Sequence, residues 1–259
     1  MTQIVFQFAV LIPTAIVFVT SFLLLTLKLV KRNYHVWVLR AIIILLLTFE
    51  VIKQAHLLGV NGHIPPYNLP FFFCSTFYIT FLITSFGSGR VSKIVNPYSF
   101  YAGLFCGLSL NFVPFSIYNL LFQEGTIDIF LGLHSMFFHM LLVCFSLFMF
   151  FSKFYRPTFK DTISAIVITV FFGLVVLGLS RYVEYLYSRD GTRFIELNYF
   201  ELGRNTSFLT PLYNAVTYPV GLLIYAMGLY GIFCFIFLVF RGPGFVYRKV
   251  VARKRVTTY

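Results

Sequence analysis

Charge is what this chain has least of. Only 11% of its 259 residues are Asp, Glu, Lys or Arg, while 59% are hydrophobic and 35 are Phe. A soluble domain of this length has no need of so much apolar sequence, and mean hydropathy of +0.87 places the chain among polytopic helical membrane proteins. Other absences narrow the chemistry. The four cysteines form no CxxC pair and none falls in a loop, so they define neither a disulfide framework nor a redox compartment. HExxH and zinc-spaced Cys/His clusters are missing, which argues against a metalloprotease, and no cofactor is expected. The last apolar stretch has no lysine for a retinal Schiff base. Asn96-Pro97-Tyr98 follows the third stretch instead of ending the seventh, so it is not the G-protein-receptor motif. Repeats, low-complexity tracts and long linkers are absent too, and residues 1–259 are expected to form one integral membrane domain with a short basic tail over 241–259.

Seven long apolar stretches predict seven transmembrane helices in an all-α fold, near residues 4–30, 36–59, 69–88, 98–122, 130–152, 162–187 and 211–240. No basic residue precedes the first, which is too long for a cleaved signal segment and reads as a retained span. Fifteen of the 20 Lys and Arg follow the odd-numbered stretches, from Lys28 to Arg40, at Arg90 and Lys93, from Lys153 to Lys160, and from Arg241 to Arg255. Cations mark the cytoplasmic side, so the N-terminus is expected outside and the C-terminus inside. The net charge of +12 is therefore mainly topology, and the basic tail reads as an anchor to anionic lipid heads with no nucleic-acid partner. An Asn205-Thr206-Ser207 sequon falls on the exterior side.

Four groups that a bilayer penalises, Glu50, Lys53, Cys74 and His139, lie inside these stretches at similar depth. At about 1.5 Å per residue, Glu50 lies roughly 13 Å and Lys53 roughly 9 Å below the outer end of the second span. Cys74 lies about 8 Å down the third, and His134 and His139 about 6 and 14 Å down the fifth. A charge at mid-membrane costs at least about 2.5 kcal/mol, so Glu50 and Lys53 at i, i+3 spacing are expected to neutralise one another and face the bundle. Gln54 shares their helix face, and Cys74 shares one with Tyr78. Asn214, Tyr218, Gly221 and Tyr225 make a polar-aromatic stripe on the seventh span, and Pro114 and Pro219 predict local kinks. Together these groups predict a polar cavity open to the outer side.

Each group has a plainer reading. The ion pair can fix packing, bind substrate, or orient a neighbour. A buried cysteine is often a small hydrophobe, and a lone interior histidine a satisfied core group. Five residues apart, His134 and His139 lie about 140° around a helix and cannot both point at one metal. A thiol near a helix start with a histidine at compatible depth is nevertheless the minimum for thiolate attack and acyl transfer.

Leu69-Pro70-Phe71-Phe72-Phe73-Cys74 resembles the Leu-Pro-x-His-x-Cys motif of bacterial YwaF-like proteins and their eukaryotic relative, transmembrane protein 164. Glu50 with Lys53 in the preceding helix, Phe138-His139, and Gly203-Arg204-Asn205 to Pro211 before the last helix recur in the same order. Phe72 stands where many bacterial members have His, and Thr206 where they often have Tyr. The resemblance implies seven helices, residence in a bacterial plasma membrane, and acyl transfer on phospholipids, with Cys74 as nucleophile and His139 as its histidine. Glu50, Lys53, His134, Asn205, Asn214 and Tyr218 would support the site or bind substrate. Acyl-CoA is cytoplasmic whereas the site lies in the outer half, so transfer between lipids fits the depth better. The alternative is a transporter, channel or sensor that binds a small polar solute in an outward vestibule.

Overall fold

A computed structural model describes residues 6–62, 64, 73–112, 128–189 and 210–256. Among the described residues all regular structure is helical. Helix α1, Gln7–Leu29, opens with a π-helical turn over Gln7–Leu11, and Pro13, which has no N–H to bond back into that turn, is the second residue of its α-helical part. A short turn, Arg32–Tyr34, leads into α2, His35–Asn61. Gly62 ends α2 at φ +69°, donating its N–H to Leu58 O at 2.9 Å, a left-handed cap for which glycine carries no Cβ penalty. Helix α3, Phe73–Phe86, starts with a 3₁₀ turn over Phe73–Ser75. Then follow α4, Gly89–Phe112, α5, Ile129–Phe151, α6, Phe159–Arg189, the short α7, Thr210–Ala215, and α8, Tyr218–Val256.

Among the described residues, five stretches are long and apolar enough to cross a membrane: Gln7–Leu29, Arg32–Asn61, Ile129–Phe151, Phe159–Leu186 and Tyr218–Arg241. Helix α3 is a shorter apolar helix. The chain is thus an all-α, polytopic integral membrane protein. Its second, fifth and sixth expected helices differ from α2, α5 and α6 by no more than three residues at either end. Two expectations need correction. Helix α4 starts at Gly89, nine residues before the expected 98, so Arg90, Lys93 and Pro97 are helical and not in a loop. The last expected helix is broken at Val216 and Thr217, and its second half continues to Val256, well beyond residue 240. Pro219 explains the break, because it has no N–H to bond Ala215 and its ring crowds the preceding turn. Pro114 lies outside the described residues.

The centre of the bundle is the α4–α5 interface, flanked by α3 on one side and α6 and α8 on another. Helix α1 packs chiefly on α5 and exposes most of its length. Close approach of α4 and α5 depends on two glycines four residues apart. A Cβ on Gly103 would fall 2.6 Å from Ser146 Oγ, and one on Gly107 would fall 2.8 Å from the His139 carbonyl oxygen and 2.9 Å from Val143 N. Spacing of this kind lets helix backbones touch in a bilayer, where apolar burial gives no drive for association. Around the glycines, Phe81 stacks on Phe145 with centroids 3.6 Å apart. Hydroxyls join the same helices: Thr76 and Tyr98 meet at 2.6 Å, Thr84 and Ser99 at 2.8 Å, and Ser146 donates to Ser99 O at 3.2 Å. The site residues thus rest on a tightly packed α3–α4–α5 frame.

The α5–α6 turn closes this frame at its far end. Lys153 adopts φ +62°, and Asp161 accepts hydrogen bonds from the Thr158 N–H and the Tyr155 hydroxyl, both at 2.8 Å. Burial and the Asp161 carboxylate together push the Tyr155 phenol above its ordinary pKa.

Candidate functional site

Glu50 organises a polar cluster drawn from three helices. Lys53 Nζ lies 2.7 Å from Glu50 Oε1, as expected for residues one helical turn apart on α2. Gln54, the next turn neighbour, donates to the same oxygen at 2.6 Å. From α3 the Tyr78 hydroxyl donates to Glu50 Oε2 at 2.6 Å. From α5, His134 brings Nε2 to 3.9 Å from Oε2, too far for a hydrogen bond. The Glu50, Lys53 and His134 side chains are only 11%, 16% and 9% exposed. Three short donors on one carboxylate are what a buried anion in a bilayer requires.

Cys74 sits one helical turn before Tyr78 on α3, within its opening 3₁₀ turn. Its thiol makes a hydrogen bond with the Cys106 thiol of α4, and Lys53 is the foremost charge acting on it. All four cysteines are free, with Cys106 and Cys144 buried and Cys74 and Cys234 half-buried.

His139 lies on another side of the frame. Its Nδ1 is 2.8 Å from Ser135 O; a carbonyl can only accept, so Nδ1 carries the proton and Nε2 keeps the lone pair a base needs. The His139 backbone rests on Gly107, next in sequence to the Cys106 that touches Cys74. Adjacent residues of α4 therefore hold Cys74 and His139 at one level of the bundle. Among the described residues no hydrogen bond or ion pair joins the two side chains.

Other expected site residues lie apart. Asn214 is exposed on α7, and Tyr218 is half-buried at the start of α8, beyond the break, so the two do not share one continuous helix face. Asn205, the sequon around it, and residues 69–72 of the Leu-Pro motif lie outside the described residues. Among the described residues, no group of three His, Cys, Asp or Glu is placed to hold a metal ion.

A family model matches residues 2–240. The chain belongs to the TMEM164 family. No curated protein and no solved structure matches it. Membership agrees with the ordered motifs from Glu50 to Phe138-His139. Within this TMEM164-family chain, Tyr78, Gln54 and Cys106 are site neighbours that were not singled out as functional from sequence. Tyr78 and Gln54 carried a signal, since each shares a helix face with an expected site residue. Cys106 carried none, because its apposition to Cys74 depends on how α3 meets α4.

Proposed function

We propose that this TMEM164-family protein moves acyl groups between membrane lipids, with Cys74 as nucleophile and His139 as proton carrier. The thiol attacks the carbonyl carbon of a lipid ester, and its proton passes to His139 Nε2. The tetrahedral intermediate collapses to a Cys74 thioester, and the departing lipid alkoxide takes the proton back. A hydroxyl of a second lipid then attacks the thioester, giving its proton to His139, and the thiol is restored when that proton returns.

The observation that carries this reading is the Cys74 thiol in the first turn of α3, beside a buried Glu50–Lys53 pair and level with a histidine whose Nε2 is free to accept a proton. The resemblance supplies the lipid ester as substrate. Contact between Cys74 and His139 is expected to form around the bound ester, since catalytic hydrogen bonds are often long before substrate arrives. We further take the chain to have seven spans, with α3 and α4 among them, the N-terminus outside and the Cys74 site in the outer half of the bilayer. The segregated cations and the depth of Glu50 support that arrangement. A bacterial plasma membrane is the setting we expect, with membrane lipids as the partners.

The test is lipid acyl exchange in reconstituted vesicles. Cys74→Ala should abolish exchange without unfolding the protein, and His139→Ala should reduce it severely. Full exchange by folded Cys74→Ala would defeat the proposal. A second reading, a vestibule for a small polar solute used in transport or sensing, draws on the three-helix Glu50 cluster alone. Solute uptake without acyl exchange in the wild-type protein would favour it.

A further inference from the structure

The Glu50 cluster contains donors that nothing among the described residues uses. Glu50 is engaged on both oxygens: Oε1 accepts from Lys53 and Gln54, and Oε2 from Tyr78. A lysine ammonium has three N–H donors, and this contact takes one of them. His134 Nε2 is buried without a hydrogen-bond partner among the described residues, on a side chain that is 9% exposed. It faces a carboxylate at 3.9 Å, which favours the tautomer carrying its proton on Nε2. What converges here is therefore donor capacity from α2 and α5, held against α3 by the Tyr78–Glu50 contact one helical turn from Cys74. An orphaned polar atom in a bilayer is costly, so a site that keeps one calls for a ligand that completes it.

Chemistry narrows the ligand. Unused donors call for an oxygen acceptor. With Glu50 and Lys53 cancelling, the cluster has no net charge to offset a full anion in the resting state, so a neutral ester carbonyl is the better guest. When a nucleophile adds to that carbonyl, its oxygen becomes an alkoxide, and a fixed ammonium with an imidazole N–H then gains most from it. We infer that Lys53 Nζ and His134 Nε2 form the oxyanion site for esters attacked by Cys74, with Glu50 as the positioning residue that holds Lys53 in place. This rests on the acyl-transfer reading and adds to it distinct roles for the two histidines: His139 moves the proton and His134 holds the oxygen. The Tyr78 and Gln54 donors disperse the carboxylate charge that would otherwise oppose the oxyanion.

An oxyanion site helps attack on a carbonyl and does nothing for displacement at a saturated carbon. The experiment therefore compares two probes on the full-length protein in nanodiscs: a long-chain acyl p-nitrophenyl ester, which acylates Cys74, and a long-chain iodoacetamide, which alkylates it. His134→Phe should lower the acylation rate by about 10²–10³-fold while leaving alkylation nearly unchanged. His134→Gln, which keeps an N–H donor, should recover part of the loss. Maleimide exclusion from the buried Cys144 checks that each variant is folded. The inference is overturned if acylation and alkylation by folded His134→Phe fall together, or if its acylation stays at the wild-type rate. Should wild-type Cys74 be alkylated but never acylated, the acyl-transfer reading itself fails and takes this one with it.

Discussion

Gly107→Ala is a small change with an unusual expected sign. Alanine in place of glycine inside a helix ordinarily stabilises by about 1 kcal/mol. At Gly107 the added Cβ would lie 2.6 Å from Val143 Cγ2, 2.8 Å from the His139 carbonyl oxygen and 2.9 Å from Val143 N, about 0.5 to 0.8 Å inside ordinary contact. Val143 Cγ2 belongs to a side chain, but the other two atoms are backbone, so α4 and α5 must separate. Overpacking of this kind costs about 1–3 kcal/mol, and the net effect is destabilisation of up to about 2 kcal/mol. An added Cβ at Gly178 or Gly228 would meet nothing within 4 Å, so these positions serve as controls expected to gain stability. The difference between Gly107→Ala and Gly178→Ala should therefore be about 1–3 kcal/mol, the overpacking cost alone, because the propensity gain is common to both. Unfolding of purified protein in mixed micelles, titrated with SDS and read by exposure of the buried Cys144 thiol, gives the comparison. Equal midpoints for the two variants would refute the claim that Gly107 sets the α4–α5 distance. Since the same methyl pushes on the backbone of His139 and sits beside Cys106, Gly107→Ala should also slow acyl exchange in protein that remains folded.

Other perturbations follow from the same geometry. Lys53→Met leaves the Glu50 carboxylate without its cation and should cost about 3–5 kcal/mol in the same unfolding assay, with the Glu50→Gln, Lys53→Met double variant recovering part of it; no recovery would argue against direct pairing. Tyr78→Phe removes one short donor from Glu50 Oε2 and should cost about 1.5–3 kcal/mol, the usual worth of a hydrogen bond to a charged group, and an unchanged midpoint would contradict it. A thioester-trapping acyl probe should label Cys74 from the outer leaflet and leave Cys144 and Cys234 unlabelled, and labelling of Cys144 or Cys234 in place of Cys74 would move the nucleophile elsewhere. Thiols introduced within residues 61–68 and 189–204 should react with an impermeant reagent added outside, while those within 153–160 should not; the reverse pattern would invert the topology.

Much of the frame was legible because an apolar run leaves few choices in lipid. The limits of α2, α5 and α6 follow from where hydrophobic sequence gives way to Asn61-Gly62, Asp128 and the Ser152–Thr158 turn. Glu50 and Lys53 were legible as a pair because i, i+3 neighbours on a helix meet whatever the tertiary fold. Contacts that depend on how helices dock were not. Tyr78 reaches Glu50 across 28 residues of sequence, and only the approach of α3 to α2 brings them together. Gly103 and Gly107 stand four residues apart in the sequence, but the partner that needs their smallness, α5, is known only once the helices are packed, and nothing in the sequence singled them out. Helix α4 began earlier than expected because Arg90 and Lys93 resemble loop cations until they are seen in its first turns. The break at Val216 and Thr217 turned the expected kink at Pro219 into a separation of Asn214 from Tyr218.

The Phe86 end of α3 is moored. Arg40 donates to Ser85 O at 3.1 Å, and its guanidinium lies over the Trp37 and Phe86 rings, the cation and aromatic pairing typical of a headgroup boundary. Arg40 belongs to α2 and Ser85 to α3, so this one contact fixes how far each helix is slid along the other, and with it the register in which the Tyr78 hydroxyl meets Glu50. A surface-level clasp thereby sets the alignment of a buried cluster, and loosening it would be felt at Glu50 without any change to the cluster's own residues.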